Sequence, residues 1–372
     1  MKKILILLIL LILAGTFLSG VNYKIKTTIP TDEPVVESKP SEIKSPEIIA
    51  DNLSIPWDIA FLDNGQMLIT ERPGNLLLID SNKQKTNIKI PRVVHKGEGG
   101  LLGIVLHPNF KENNILYLYM STGQDSLGTK NAVIRYKFED NSLKDEQIIV
   151  DNIPGAIYHD GGRMIFGKDG LLYITTGDAT SPKISQDLNS LGGKILRVKD
   201  DGKTPSDNPF GSKIFSYGHR NPQGLAFDDS GRLWETEHGR SGIKSGLDEI
   251  NLIVKGQNFG WPEIEGDESK PSMQTPKKHS GPDVTWAPAS LVYFKNKLFF
   301  GGLKGEALYE ATILDDKITD VKEHFKGQFG RIRTIQIGPD GMFYITTSNT
   351  DGRGTKQPND DKIIRIDPNS LI

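Results

Sequence analysis

The stretch GRMIFGKDGLLYITTGD (162–178) contains a short apolar strand, a Lys-Asp-Gly turn and a second strand in which large apolar residues alternate with threonine. Asp-Gly between two such runs is a strong local hairpin signal, because glycine supplies the positive φ that a tight turn needs. The same plan recurs in IAFLDNGQMLITERPGNLLLID (59–80), GLAFDDSGRLWETEHG (224–239) and IQIGPDGMFYITTSN (335–349). Looser copies are IVLHPNFKENNILYLYMST (104–122), with a longer turn, and SLVYFKNKLFFGGLKGEALYEA (290–311). Six hairpins therefore begin near residues 57, 102, 162, 224, 290 and 333. Their spacings match propeller blades of roughly 40–50 residues plus insertions. No segment keeps a helical period beyond a turn or two, which argues against an α/β fold. The fold expected is all-β, a six-bladed β-propeller of four-stranded antiparallel blades. A β-sandwich or a two-domain β-protein would also supply short strands, but not one hairpin six times.

Composition narrows the chemistry. The 372 residues include 39 Gly, 21 Pro and no Cys, with 45 basic against 47 acidic residues. The absence of cysteine excludes disulfides, thiolate metal centres and cysteine nucleophiles. Any metal must then be held by oxygen or imidazole. A formal charge of -2 offers no general field for nucleic acid. Lys2 and Lys3 precede an apolar run, Ile4 to Ala14, and then small residues, so 1–20 is read as a signal peptide or an N-terminal anchor. Residues 21–47, rich in Pro, Ser, Glu and Lys, are read as a disordered tether, and 48–372 as the propeller domain. The protein is thus expected to be exported: periplasmic, extracellular or tethered to the outer face of the cytoplasmic membrane.

Propeller sites gather at a mouth of the central channel, so polar clusters beside the hairpins are the candidates. His159, in YHDGGR, opens the third hairpin, and Asp178 closes it. A carboxylate facing an imidazole fixes its tautomer and raises its basicity, as a general base needs. YGHRNPQG (217–224) places Arg220 and Asn221 at the start of the fourth hairpin, and ETEHGRSG (235–242) follows it, with Gly239 and Arg240 able to offer backbone carbonyls to calcium. Arg331 and Arg333 stand at i and i+2, on one face of a strand. With Arg220 and Lys304 they would make a cationic mouth suited to an anion carrying several carboxylates or phosphates. The simpler alternative is that each cation pairs with a local Asp or Glu. Glu98, between glycines in GEGGLLG, is read as a loop over the channel, and His107 as structural. Acidic residues around the Gly-Trp-Pro turn of 248–268, Glu249 and Asp267 among them, form a candidate structural calcium site.

EGGLLGIVLHPNF, HDGGRMIFGKDGLLYITTGD, QDLNSLGGKILRV, YGHRNPQGLAFD, DEINLIVKGQNFGWP and GRIRTIQIGPDG together, in this order, resemble the soluble PQQ-dependent glucose and aldose sugar dehydrogenases. The resemblance runs from Asn52 to the C-terminus. It implies a six-bladed propeller that binds pyrroloquinoline quinone (PQQ) with Ca2+ and oxidises aldoses at C1 to lactones, passing electrons to an external acceptor. It also implies roles. His159 matches the general base, Asp178 its supporting acid, and Arg220 the arginine that polarises the quinone oxygen. Asn221, Gln186, Thr285, Lys304, Arg331 and Arg333 match cofactor contacts. Gly239 and Arg240 match the positions whose carbonyls bind the cofactor-site calcium. Three departures stand out: Glu98 replaces a Gln beside the cofactor, Tyr158 an Asp beside the base, and Arg240 a Pro. With the missing insertions of the glucose-specific members, they favour the shorter aldose sugar dehydrogenase type.

Two other functions use the same fold. A non-catalytic ligand- or receptor-binding propeller would have little reason to keep His159, Asp178, Arg220, Arg331 and Arg333 together. A calcium-dependent propeller lactonase would need carboxylate or Asn ligands reaching the channel floor, where this sequence is mainly basic.

Overall fold

In the computed structural model, which describes residues 46–125 and 128–371, the chain builds six four-stranded antiparallel sheets. Blade 1 comprises Pro56–Phe61, Met67–Glu71, Asn75–Ile79 and Lys85–Lys89, from inside to outside. Blade 2 follows with Leu101–Leu106, Ile115–Asp125, Gly128–Glu139 and Ser142–Pro154, and blade 3 with Met164–Phe166, Leu172–Thr176, Lys194–Val198 and Ile214–Tyr217. Blade 4 is Pro222–Phe227, Leu233–Glu237, Glu249–Ile253 and Lys278–His279; blade 5 is Pro288–Phe294, Lys297–Gly302, Ala307–Leu314 and Lys317–His324. Blade 6 takes three strands from the C-terminal end, Ile332–Ile337, Phe343–Thr347 and Ile363–Ile366. Its outer strand, Glu47–Ala50, comes from the other end of the chain. The six first strands abut one another in a closed ring, so the fold is a six-bladed β-propeller. Residues 1–45, which hold the expected leader and nearly all of the tether, lie outside the described residues.

The hairpins form for the local reason their turns announce. Gly170 and Gly341 adopt φ 74° and 75°, and the preceding Asp169 and Asp340 each accept the backbone N–H two residues on. The longer turn of the second hairpin contains one helical turn, Phe110–Asn113. There His107 Nδ1 accepts the Asn109 N–H at 3.0 Å, a structural bond. Strand alternation sends apolar side chains into six clusters, one at each junction between neighbouring blades. Ring closure falls to the cluster in which Ala50 and Ile363 of blade 6 meet Ile59, Ile69 and Leu77 of blade 1.

First strands all begin, and second strands all end, at one rim of the ring. The loops ahead of the first strands and after the second strands therefore converge there. Below that rim the channel is filled: Arg163 Nη1 lies 2.5 Å from Asp58 Oδ1, both buried, and the guanidinium stacks 4.3 Å above the Trp57 ring.

Candidate active site

His159 and Asp178 meet because two glycines let backbone approach backbone. A Cβ on Gly177 would lie 1.9 Å from the His159 carbonyl oxygen, and one on Gly161 would lie 2.7 Å from the Thr175 carbonyl oxygen. His159 itself sits at φ 66°, a costly conformation for a non-glycine residue. It is held by three contacts. Its N–H donates to Glu98 Oε2 (3.0 Å), its carbonyl accepts the Ala179 N–H (3.2 Å), and ring Nδ1 lies 2.7 Å from Asp178 Oδ1. Asp178 is fully buried; Oδ1 also accepts the Thr180 N–H, and Oδ2 accepts the Trp261 indole N–H at 2.9 Å. With Nδ1 turned to Asp178, Nε2 is the ring nitrogen left to accept a proton from a ligand.

This pair stands at the wall of a cavity of about 600 Å³ at the rim. Its wall carries five cationic side chains, Arg220, Arg240, Lys304, Arg331 and Arg353, against two carboxylates, Glu98 and Asp248. Arg220 donates to the His238 carbonyl (3.3 Å) and Ser241 Oγ (2.8 Å), while its buried Nε has no hydrogen-bond partner among the described residues. Lys304 is exposed and, among the described residues, has no ion pair. Burial would raise the Glu98 carboxyl, but the Arg353 guanidinium, the His159 N–H and other neighbours outweigh it and hold it at about 2. Arg353 also lies 5.1 Å over the Tyr158 ring. His238 is lowered to about 3, chiefly by burial, and is neutral, with Nε2 unpartnered. Asp248 accepts three backbone N–H groups, from Gly239, Trp286 and Ala287, against a burial that pushes its carboxyl up.

The residues read from sequence divide between this wall and the layer behind it. His159, Glu98, Arg220, Gly239, Arg240, Thr285, Lys304 and Arg331 line the cavity; Asp178 stands directly behind His159. Thr285 Oγ1 shares a short hydrogen bond with Ser245 Oγ, and the Arg240 carbonyl accepts the Gly246 N–H at 3.3 Å. Three expected cofactor contacts do not reach the wall. Asn221 is fully buried and braces the base loop, its Oδ1 accepting the Gly161 N–H. The Gln186 amide is consumed by Asn258 and the Trp261 carbonyl. Arg333 is displaced because the strand is bulged between Ile332 and Thr334, which breaks the i, i+2 alignment with Arg331. It lies below the cavity, bonded to Gln223 and 5.7 Å from Trp57, with its guanidinium lowered to about 9 by burial first and then by Arg72. The local-pairing alternative holds in part, since Arg331 is bound to Asp351 (2.9 and 3.1 Å) and Arg353 to Glu98.

The Glu249–Asp267 pairing is corrected. Asp267 is 94% exposed and turns to His279 (3.1 Å). Glu249 points inward to Asn251, whose amide also serves Glu235 and Glu237. Burial and the neighbouring Glu237 push Glu249 up to about 8, and Glu235 well above its ordinary value. Glu237, Glu249 and Glu265 line a small cavity of about 10 Å³ that also touches Gly239 and Arg240. On its inner side, His219, Glu235 and Glu237 bring their ligand atoms within 4.8 Å of one another. An oxygen-rich, ion-sized space beside a buried Glu235 oxygen without a hydrogen-bond partner among the described residues offers the kind of donors a hard cation takes.

Sequence reading overlooked His238, Trp261 and Arg353 as site residues. His238 and Trp261 lie inside quoted motifs. Arg353 follows YITTSNTDG, the blade 6 counterpart of YITTGDA, and that parallel was the available signal.

Comparison with known proteins agrees with this geometry. The profile of the Glucose / Sorbosone dehydrogenase family matches residues 53–364. The aldose sugar dehydrogenase YliI of Escherichia coli (strain K12) is 33% identical over 340 residues, 82% of this chain and 90% of that protein. Quinoprotein glucose dehydrogenase B of Acinetobacter calcoaceticus is 33% identical over 63% of this chain and 56% of its own length. The PQQ-bound structure of the aldose sugar dehydrogenase of Streptomyces coelicolor superimposes with a TM-score of 0.80 at 35% identity, covering 86% of this chain and 96% of that one. Fold, rim cavity and these likenesses lead to one conclusion: the chain belongs to the glucose/sorbosone dehydrogenase family and is an oxidoreductase of the sugar dehydrogenase type.

Proposed function

We propose that this enzyme oxidises aldoses at C1 to the corresponding lactones, using PQQ and Ca2+ bound in the rim cavity. The observation that carries the reading is one wall on which an oriented His159–Asp178 pair adjoins an excess of cations. PQQ carries three carboxylates, and a wall with five cationic against two acidic side chains offers the guanidinium and ammonium donors to meet them. Unpartnered Arg220 Nε and exposed Lys304 are donors that protein groups have not consumed. Arg331, Lys304, Arg353 and Arg220 would hold the cofactor, with Thr285 at its edge and the carbonyls of Gly239 and Arg240 directed to the cofactor-site calcium. A second calcium would sit among Glu249, Glu237 and Glu265.

When bound, PQQ supplies an ortho-quinone that accepts a hydride. The chain's own residues do the proton work. His159 Nε2 takes the proton of the C1 hydroxyl while the C1 hydride leaves, so the alcohol loses two electrons and two hydrogens and becomes the lactone. Asp178 keeps the imidazole in the right tautomer and stabilises the imidazolium that forms. Arg220 sets a fixed positive charge where negative charge develops, an interaction that strengthens in the transition state. The two electrons pass on to an external acceptor. We further propose that the reaction runs outside the cytoplasm, because Lys2 and Lys3 followed by the apolar run Ile4 to Ala14 read as an export signal.

Reconstitution with PQQ and Ca2+, followed by aldose-dependent dye reduction, tests the proposal. Activity appears only with both, and His159→Ala retains the cofactor's spectral change while losing most turnover. No spectral change on adding PQQ, or turnover unchanged in His159→Ala, would refute it.

A further inference from the structure

Trp261 belongs to the Gly-Trp-Pro turn after the third strand of blade 4, and no step above uses it. It nevertheless touches three of the residues on which the site depends. Its indole N–H donates to Asp178 Oδ2 at 2.9 Å, its ring lies 5.4 Å from the Arg220 guanidinium, and its carbonyl accepts the Gln186 amide at 2.7 Å. The backbone is pinned from the other side as well, the Trp261 N–H donating to the Gly218 carbonyl at 2.9 Å. An indole anchored this way is a fixed donor rather than a mobile one.

The two oxygens of Asp178 are not equivalent. Oδ1 takes both His159 Nδ1 and the Thr180 N–H; Oδ2 has the indole as its hydrogen-bond partner. Asp178 has no solvent exposure. Without the indole N–H, Oδ2 becomes a buried carboxylate oxygen lacking a donor, and the carboxylate can relieve that only by turning or by taking up a proton. Either response weakens its grip on His159. The titratable and charged groups that face the pair from neighbouring elements are Glu98 ahead of blade 2, Arg220 ahead of blade 4 and His238 after the second strand of blade 4.

We propose that Trp261 is a positioning residue: its indole N–H fixes Asp178 so that Oδ1 addresses His159, while its ring supports Arg220, so that one side chain registers the base against the electrostatic partner of the reaction. This inference rests on the functional reading above. It also explains why Gln186, expected at the cofactor, is spent on the Trp261 carbonyl: it holds the residue that holds the site.

The test is Trp261→Phe, which keeps a ring beside Arg220 and removes only the donor. The loss of a hydrogen bond to a charged group predicts a kcat lower by about ten- to a hundred-fold, with KM for the aldose and the PQQ affinity within about two-fold of the parent. In the cofactor-free protein, the His159 ring titration followed by NMR should move part of the way to its value in Asp178→Asn. In the Asp178→Asn background, Trp261→Phe should cost nothing further. Unchanged kcat and titration, or full additivity with Asp178→Asn, would overturn the proposal. If Trp261→Phe does not fold, the parent indole Nε1–H resonance decides: it must shift in Asp178→Asn, and an unmoved resonance overturns the idea. Failure of PQQ to bind at all would refute the functional reading while leaving the cofactor-free titration to judge this one.

Discussion

Replacing Arg331 by Met separates its two jobs, balancing a buried carboxylate and meeting a bound anion. Arg331 and Asp351 are 6% and 3% exposed, with guanidinium contacts of 2.9 and 3.1 Å to Asp351 Oδ2. Breaking a buried pair costs roughly 3–5 kcal/mol, because the abandoned charge stays desolvated. Asp351 keeps the Ser348 hydroxyl (3.2 Å) and the Arg353 N–H (2.9 Å), which places the loss at the lower end, about 3 kcal/mol. The assays are urea unfolding of the cofactor-free protein and spectral titration with PQQ. Arg331→Met should lose that stability and bind PQQ at least ten-fold more weakly. Adding Asp351→Asn should restore most of the stability and none of the affinity. The pH dependence has a definite sign. Burial raises the Asp351 carboxyl, but Arg331 and then Arg333 outweigh it and hold it below its ordinary range. The pair's contribution is therefore complete above the unfolded carboxylate value and fades as pH falls below about 4, so parent and Arg331→Met should converge in acid. Equal stability at pH 7, or recovery of PQQ affinity in the double variant, would refute the division of labour.

Two further outcomes follow from neighbouring groups. Glu98, held at about 2 against an ordinary 4.5, contributes stability that is whole above pH 4.5 and lost on acidification toward 2. Because Arg353 is half exposed, the contribution is about 1 kcal/mol after screening. Arg353→Gln should shift the acid limb of a Tm–pH profile upward and slow turnover through the His159 N–H; coincident profiles would count against it. Chelation of the calcium-loaded, PQQ-free protein should lower Tm by several degrees, and Glu249→Gln should reduce that shift by the share of the second calcium while Asp267→Asn leaves it intact. The reverse pattern would return the site to Asp267.

Local chemistry was the legible part of the chain. The turns at Asp169-Gly170 and Asp340-Gly341 declare themselves within a few residues, because the hydrogen bonds and the positive φ involve adjacent positions. The His159–Asp178 pair was equally open to reading, since both residues sit on one hairpin. Contacts made by ring closure were hidden. Glu98 and Arg353 stand 255 positions apart, and only the return of blade 6 beside blade 1 brings them together. The strand Glu47–Ala50 lies beside a Pro- and Lys-rich stretch whose composition gave no reason to expect a sheet. Arg333 was misplaced for a smaller reason: a one-residue bulge overrode strict alternation.

The outer strand of blade 6 joins Glu47–Ala50 to Ile363–Ile366, so the two ends of the described fold are stitched side by side. That seam belongs to the same blade that delivers Arg331 and Arg353 to the rim. Cutting away a dozen residues from either end of the described fold would therefore unlace the ring at the point where it supplies its anion-binding charges, and activity should vanish before most of the sheet structure does. The same seam makes the described fold a natural candidate for circular permutation. The ends of that fold, at Glu47–Ala50 and Ile363–Ile366, already lie adjacent, and a linker across them with a new opening in a distal turn such as Gly231 would turn a clasp held by a few backbone hydrogen bonds into a covalent one.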